Sequence, residues 1–224
     1  FPAAFFLFLA VLAVFRLPAV RLLVLVSAIR VAGLFLLALP LDRVFQRAAR
    51  RLAEQRCEPL VIDVSFVGAD EAQMSEAAQE AIAAADLIVF CPSNPYLSID
   101  PILSIPEMRA SLIRATAPIV AVTPIVGGSA LKGPAAKMMR EMGQMISPLT
   151  VVDRYADLLD GFVLDRQDAI LRDSIDVPVL VTNTVMTDLD SKTILGRETL
   201  AFGALLVAGA PAQGAALDKN ISSS

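Results

Sequence analysis

Two short runs of consecutive apolar residues constrain the fold of this chain most strongly. Residues 86–91 read DLIVFC and residues 118–123 read PIVAVT, so apolar side chains occupy successive rather than alternate positions. A strand with this pattern is buried on both faces, which is typical of a parallel sheet. Stretches rich in helix-forming residues separate the runs. This alternation predicts an α/β fold with a largely parallel sheet covered by helices on both faces.

The same patterns predict further elements along the chain. Strands are predicted at residues 60–67, 86–91, 118–123, 161–164 and 177–181. Helices are predicted at residues 75–84, 106–115, 135–143, 149–158 and 190–202. Ligands of open α/β sheets bind outside the carboxyl ends of the strands. The loops at residues 92–101 and 124–134, which follow the two apolar runs, are therefore the candidate binding loops.

The first 55 residues differ from the rest of the chain. Thirty-three of residues 1–41 are apolar, and residues 1–55 carry seven arginines against two acidic residues. Their net charge is +5, whereas that of residues 56–224 is −9. We interpret residues 1–55 as an apolar, then basic, helical arm on a chain whose start, Phe1, looks truncated. Arg16 and Arg30 interrupt the apolar runs, and a membrane-spanning helix needs about 20 apolar residues. Membrane contact through residues 1–41, a packed arm and a reading-frame artefact all stay open.

Composition excludes several classes of site. The chain has no histidine, which excludes histidine-based zinc sites, Ser-His triads and haem ligation by histidine. Its net charge of −4 provides no global basic field to attract DNA or RNA. Cys57 and Cys91 lack the spacing of a metal-binding pair. Any acid–base chemistry must therefore come from carboxylates, lysine, tyrosine or cysteine. We also expect a cytoplasmic protein.

The loop at residues 92–101 is stiff and polar. Three prolines restrict its backbone, and Ser93, Asn94 and Ser98 supply neutral hydrogen-bonding groups. Such a loop can hold donors in place for a nucleotide base or a phosphate. A proline-rich connector without a ligand has the same composition, so both interpretations stay open here.

The loop at residues 124–134 has the composition of an anion-binding loop. It contains Gly127 and Gly128, then Lys132, and Gly133 stands just before a predicted helix. Glycine amides can approach an anion closely, lysine adds positive charge, and a helix N-terminus favours phosphate. The run is not a Walker A sequence, and two glycines and a lysine alone are a weak signal.

Three longer segments occur in a fixed order: CPSNPYLSIDPIL from Cys91, TPIVGGSALKGPAAKMM from Thr123 and YADLLDGFVLD from Tyr155. In sequence, order and spacing they resemble the carboxyl-terminal half of the 2-phospho-L-lactate transferase family, which builds the deazaflavin coenzyme F-420. The likeness covers about residues 56–202. It implies a Rossmann-like three-layer sheet that is incomplete here, because residues 1–55 lack the family's GGxGG-type phosphate loop.

The resemblance also implies a reaction. A phospholactyl-type group, 2-phospho-L-lactate or phosphoenolpyruvate, is transferred from a guanosine diphosphate-linked donor to the hydroxyl of a deazaflavin precursor, with release of GMP and with magnesium. It assigns no catalytic residue and no metal ligand in this chain. Carried onto matching positions, it places Ser93, Asn94, Pro95 and Ser98 beside the donor nucleotide, and Gly127, Gly128, Lys132 and Gly133 in a phosphate-facing loop.

Other polar residues near these loops have simpler expected roles. Asp100 is expected to cap a helix before Pro101 rather than to contact a metal or hydroxyl. Asp157 and Asp160 are expected to be cap and surface residues rather than catalysts. Cys91 is expected in the core. Tyr96 either lines the pocket or packs at its rim.

The predicted organisation has three parts. Residues 1–55 form the arm, unrelated to the family; residues 56–205 form the transferase-like domain; and residues 206–224 form a flexible tail. The sequence leaves open whether the chain forms a homodimer. Two other hypotheses compete with the transferase: a non-catalytic, membrane-tethered nucleotide-binding module, and a non-functional fragment.

Overall fold

The computed structural model describes residues 22–25, 60–130 and 133–209. These residues form seven strands, six α-helices, one π-helix and one 3₁₀ helix. In chain order they are β1 (Leu22–Leu25), α1 (Glu76–Ala84), β2 (Leu87–Phe90), a π-helix (Pro95–Ile99), α2 (Asp100–Leu103), α3 (Pro106–Ile113), β3 (Ile119–Val122), β4 (Ile125–Val126), β5 (Ser129–Ala130), α4 (Ala135–Glu141), α5 (Pro148–Arg154), β6 (Gly161–Asp165), a 3₁₀ helix (Arg166–Ser174), β7 (Val179–Thr182) and α6 (Leu189–Val207).

Five strands form one parallel sheet in the order β1-β2-β3-β6-β7. The register places Val89 beside Val120, and Asp165 beside Thr182. All four connections advance in the same direction across the sheet. Right-handed crossovers that advance in one direction place their helices on a single face of the sheet. The predicted α/β fold with a parallel sheet is confirmed.

Two separate apolar layers sandwich this sheet. The side chains of one face pack against the helices between the strands; they include Ile88, Phe90, Ile119, Ala121, Phe162 and Leu164. Those of the other face pack against Leu195, Leu200 and Phe202 of α6; they include Leu87, Val89, Val120, Val122, Val163 and Leu180. Strands buried on both faces explain why the apolar residues are consecutive in sequence.

Local signals set the ends of several helices. Ser75 caps α1 by accepting a hydrogen bond from the N–H of Ala78, and Ser147 caps α5 in the same way. Pro106 occupies the first turn of α3, where its missing N–H costs nothing. The predicted helix at residues 149–158 is shorter in the structure, because α5 ends at Arg154. The last predicted helix, in contrast, is longer, because α6 runs to Val207 and so includes the first residues assigned to the tail.

Two predictions from apolar runs are wrong. Residues 60–67 form no strand, and Ile62 and Val67 are 77% and 81% exposed. The N–H of Val61 binds the Glu141 side chain instead of a neighbouring strand. A strand needs a free sheet edge, and β1 occupies the edge of β2 that a strand before α1 would take. The second wrong prediction is the helix at Leu22–Leu25. These residues pair with the edge of β2 and form β1 instead.

The remaining predictions for the arm and the tail lie outside the described residues. No helix within the described ranges combines the length and the apolar character needed to cross a bilayer.

Helix α6 lies unusually close to the sheet. A Cβ atom at Gly203 would lie 2.8 Å from Cδ1 and 3.1 Å from Cγ of Leu87, and would contact Cδ2 of the same side chain. At the start of β6, a Cβ atom at Gly161 would lie 2.8 Å from Cδ1 of Leu206. Glycine at these two positions therefore allows one long helix to pack closely against one face of the sheet.

We expect Gly203→Ala to lower the free energy of unfolding by about 1–3 kcal/mol, because overpacking displaces side chains or backbone. Denaturant titration measures this change. As a control, Ala204→Ser at the exposed neighbouring position should stay within about 0.5 kcal/mol of the wild type. Combining Gly203→Ala with Leu87→Ala should cost less than the sum of the single changes. Strict additivity would contradict the proposed contact.

Asp188 begins α6 with a reciprocal cap. Its Oδ1 accepts the N–H of Ser191 at 2.7 Å, and Ser191 Oγ accepts the N–H of Asp188 at 3.0 Å. The backbone hydrogen bond from Ser191 lowers the pKa of Asp188 below its ordinary value. The ionised carboxylate thus stabilises the folded state above the pKa of the unfolded chain, and this contribution is lost as the pH falls through the lower, folded pKa.

We therefore expect Asp188→Asn to lower the thermal midpoint at neutral pH, because a neutral acceptor caps more weakly than a carboxylate. The difference from the wild type should shrink as the pH falls below about 4, where the carboxyl of the unfolded chain takes up a proton, and further as the pH falls through the lower folded pKa. Thermal unfolding between pH 7 and pH 3 measures both effects. Asp190→Asn, in the same exposed turn, controls for loss of one charge. A difference that is constant with pH would count against this account.

Candidate functional site

The loop after β2 forms a tight turn at the carboxyl edge of the sheet, and we call residues 92–99 the SNP turn. The N–H of Ser93 donates to the carbonyl of Cys91 at 2.7 Å, which bends the chain directly after the strand. Pro95 then begins a π-helix, and the N–H of Ser98 donates to the carbonyl of Asn94 at 2.9 Å. The loop predicted to lack regular structure is thus an ordered helical turn.

Asn94 shapes this turn from within. Its Oδ1 accepts the N–H groups of Tyr96 and Leu97 at 3.0 and 3.2 Å. Its Nδ2 lies 3.5 Å from Sδ of Met138 in α4, the helix after the second loop. The side chain of Asn94 is therefore used inside the protein, and it joins the two candidate loops through α4.

The second loop is a β-hairpin, which we call the glycine hairpin (residues 125–130). Strands β4 and β5 pair in antiparallel fashion, and only Gly127 and Gly128 lie between them. Their φ angles are 57° and 69°. A two-residue hairpin turn with positive φ at both central positions matches the twist of the strands and requires residues such as glycine. Chain reversal alone accounts for the glycine pair.

The backbone amide of Gly127 is bonded to an anion of the protein itself. Asp168 in the 3₁₀ helix accepts this N–H through Oδ2 at 2.9 Å. Gly128 and Gly133 are exposed, and Gly133 leads through Pro134 into α4. Lys132, the predicted cation of this loop, lies outside the described residues. The structure thus brings the glycine hairpin to Asp168 rather than presenting all of its amides to solvent.

Asp165 organises the end of β6, and our sequence analysis missed it. Its side chain is buried; Oδ1 accepts the N–H of Gln167 at 2.9 Å, and Oδ2 accepts the N–H and Oγ1 of Thr184 at 2.7 and 3.0 Å. These bonds fix the loops after β6 and β7. Its position directly after the apolar run at residues 161–164 is the signal that could have identified it.

Asp100 does not cap a helix as expected. No side chain caps α2, and the Asp100 carboxylate instead binds Arg154, with Nε–Oδ1 and Nε–Oδ2 distances of 2.9 and 2.7 Å. Burial raises the pKa of Asp100, and the Arg154 guanidinium opposes this shift. Tyr96 is buried rather than at a rim, and burial likewise raises its pKa.

Cys91 and Asp157 have the simple roles expected of them. Cys91 is buried at the end of β2, and burial raises the pKa of its thiol, so it is a core residue. Asp157 lies at the surface and pairs with Arg109.

The described residues contain no cluster of three metal-ligating side chains. Within residues 60–130 and 133–209, no three carboxylate, cysteine or histidine side chains converge. Both oxygens of Asp165 already accept hydrogen bonds from protein groups. Mg²⁺ is commonly held by one or two carboxylates together with substrate phosphates, so it stays a prediction from the family resemblance.

We expect Asp168→Ala to lower the free energy of unfolding by about 1 kcal/mol, because the Gly127 amide loses a charge-assisted hydrogen bond. Asp168→Asn keeps a side-chain oxygen and should cost less. Denaturant titration measures stability, and amide hydrogen exchange at Gly127 measures the bond itself. Exchange at Gly127 that is equal in the wild type and Asp168→Ala would refute the proposed link.

Comparison with known proteins identifies the chain's relatives. A family model described as 2-phospho-L-lactate transferase CofD matches residues 45–199, beginning before the predicted boundary at residue 56. The 2-phospho-L-lactate transferase of Methanocaldococcus jannaschii is 39% identical over 142 residues, which are 63% of this chain and 45% of that protein. That of Methanothermobacter thermautotrophicus is 36% identical over 149 residues, 65% of this chain and 47% of that protein.

A phosphoenolpyruvate transferase of Kitasatospora aureofaciens is 36% identical over 140 residues, 61% of this chain and 44% of that protein. The chain thus spans somewhat less than half the length of these relatives. The family resemblance predicted from the three sequence segments is confirmed: the chain belongs to the 2-phospho-L-lactate transferase CofD family.

Proposed function

We propose that this chain takes part in transfer of a phospholactyl-type group from a guanosine diphosphate-linked donor to a deazaflavin precursor in coenzyme F-420 biosynthesis. Family membership supports this proposal. Relatives named for 2-phospho-L-lactate and for phosphoenolpyruvate transfer both match at similar identity, so either acid is a candidate donor group.

The SNP turn is the structural observation that carries the proposal. Ser93 and Ser98 are half-buried, and within the described part of the chain neither hydroxyl has a hydrogen-bond partner. Asn94 holds the backbone between them. Two uncommitted hydroxyls on a rigid turn at the carboxyl edge of a parallel sheet are positioned for a polar ligand. In our proposal they bind the donor nucleotide.

The reaction consists of one substitution at phosphorus. The acceptor hydroxyl oxygen forms a bond to the phosphorus that carries the organic acid, the anhydride bond to the GMP phosphate breaks, and GMP leaves with the bonding electron pair. The hydroxyl proton passes to water. Catalysis of such a transfer depends on positioning and charge neutralisation, so it does not require histidine.

In this proposal the glycine hairpin and the residues after it face the donor phosphates. The Gly127 amide is held by Asp168, so the contribution of this region falls to Gly128, Lys132 and Gly133. Magnesium, a cytoplasmic location and a homodimer stay predictions, and no step is assigned to the metal.

The test is a transfer assay on the purified chain with each of the two GDP-linked donors, magnesium and the deazaflavin precursor, with GMP and product separated by chromatography. We expect product with at least one donor. GDP binding without product from either donor would contradict transfer and would favour a non-catalytic nucleotide-binding module.

A binding experiment tests the SNP turn separately. We expect Ser93→Ala combined with Ser98→Ala to weaken GDP binding about tenfold, because two hydrogen bonds worth about 0.5–1.5 kcal/mol each are lost. Isothermal titration calorimetry measures the affinity. Ser174→Ala, at an exposed position of the 3₁₀ helix, is the matched control. Equal affinity of the double variant and the control would remove these hydroxyls from the site.

A further inference from the structure

A second set of contacts holds the SNP turn from outside. Arg154, the last residue of α5, is 54 positions from Asp100 in sequence. Its Nε lies 2.9 and 2.7 Å from the two carboxylate oxygens of Asp100, and its Nη2 also contacts Oδ2. Asp100 follows the π-helix directly, so this ion pair fixes the point where the turn ends.

The same guanidinium also fixes the middle of the turn. Its Cζ atom lies 4.5 Å from the ring centroid of Tyr96, and the Tyr96 hydroxyl donates to Oε1 of Gln144. One arginine therefore contacts Tyr96 within the turn by a cation–π contact and Asp100, the residue directly after the turn, by a bidentate ion pair. Arginine can make both at once, because its planar, delocalised charge suits both a carboxylate and an aromatic face.

Arg154 is itself held in place by its neighbour. Tyr155 is buried and packs edge-to-face against Phe90, the last residue of β2, with ring centroids 5.5 Å apart. The end of α5 is thus attached to the strand from which the SNP turn departs. The backbone that carries Arg154 is consequently anchored beside the start of the turn.

The π-helical geometry of the turn requires supporting contacts. A π-helix is rare, and short π-helical segments are frequent at functional sites, where packing must hold a geometry that the backbone alone does not favour. Asn94 satisfies two N–H groups at its start. Within the described residues, Arg154 is the side chain that joins its middle to its end through Tyr96 and Asp100.

We infer that Arg154 is a positioning residue for nucleotide binding, which acts by holding the SNP turn in the shape that presents Ser93 and Ser98. The inference rests on the function proposed above. Apparent affinity falls in proportion to the fraction of molecules in the binding-competent shape. Loss of the support should therefore weaken nucleotide binding although Arg154 itself need not contact the nucleotide.

Arg154→Lys tests this inference, because lysine keeps the charge but cannot make the bidentate pair and the ring contact together. We expect the GDP dissociation constant to rise about tenfold, as it does when a tenth of the molecules hold the competent shape. Hydrogen exchange at Tyr96 and Leu97 should accelerate, while exchange in β3 and β6 stays unchanged. Saturating GDP should restore protection at Tyr96 and Leu97, and the unchanged exchange in β3 and β6 distinguishes a local effect from a general loss of stability.

Arg109→Lys is the matched control. Arg109 also forms a bidentate pair with an aspartate, at 3.1 and 2.6 Å from Asp157, but no residue of the SNP turn takes part in that pair. Its GDP affinity and its exchange at Tyr96 and Leu97 should match the wild type. Equal behaviour of Arg154→Lys and Arg109→Lys would overturn the inference, as would faster exchange at the turn with unchanged GDP affinity.

Asp100→Asn provides a second route if Arg154→Lys fails to fold. It removes the charge of the partner while keeping its shape, and it should shift affinity and exchange in the same direction. An unchanged GDP affinity in folded Asp100→Asn would also overturn the inference. Where both variants fold, the double variant should be little worse than the worse single variant, since both disrupt one interaction.

The two proposals fail in different ways. If the wild-type chain does not bind GDP, the proposed nucleotide function fails, and the inference that depends on it fails too. If the wild type binds GDP and Arg154→Lys binds it equally well, only the positioning role fails.

Discussion

Burial of the parallel strands on both faces is the constraint on which the rest of this structure depends. Side chains of β2, β3 and β6 are almost wholly inaccessible to solvent, because interstrand helices cover one face and α6 covers the other. Polar groups cannot remain along such strands without partners, since burying an unpaired polar group costs free energy. Polar chemistry is therefore confined to the edges of the sheet, and the loops at the carboxyl edge carry the candidate site.

At that edge, side chains of the protein satisfy much of the exposed backbone. Asn94 accepts two N–H groups of the SNP turn, Asp168 accepts the amide of the glycine hairpin, and Asp165 joins the loops after β6 and β7. These residues shape the loops rather than await a ligand. Among the described residues, the hydroxyls of Ser93 and Ser98 have no hydrogen-bond partner, which is why the proposed nucleotide site centres on them.

Much of the fold could be predicted, and the failures have a common cause. The runs at residues 86–91 and 118–123 became β2 and β3, because consecutive apolar residues suit only a strand buried on both faces. Residues 60–67 carry an equally strong strand pattern but form no strand, whereas Leu22–Leu25 pair with the edge of β2. Whether such a pattern becomes a strand depends on whether a sheet edge is available to it, and no local pattern contains that information. Similarly, Asp100 looked like a cap because its partner Arg154 is far away in sequence.

The sequence by itself determined the α/β class, the family and the two loops at the carboxyl edge, because apolar runs, turn residues and three long motifs are local properties of the chain. Only the tertiary structure decided what the polar residues of those loops do. The partners of Gly127 and of Asp100 lie 41 and 54 positions away, and hydrogen bonds over such separations exist only once the sheet has brought the loops together. The physical reason is that a carboxylate satisfies whichever donor the fold places beside it, and the fold alone sets that neighbour.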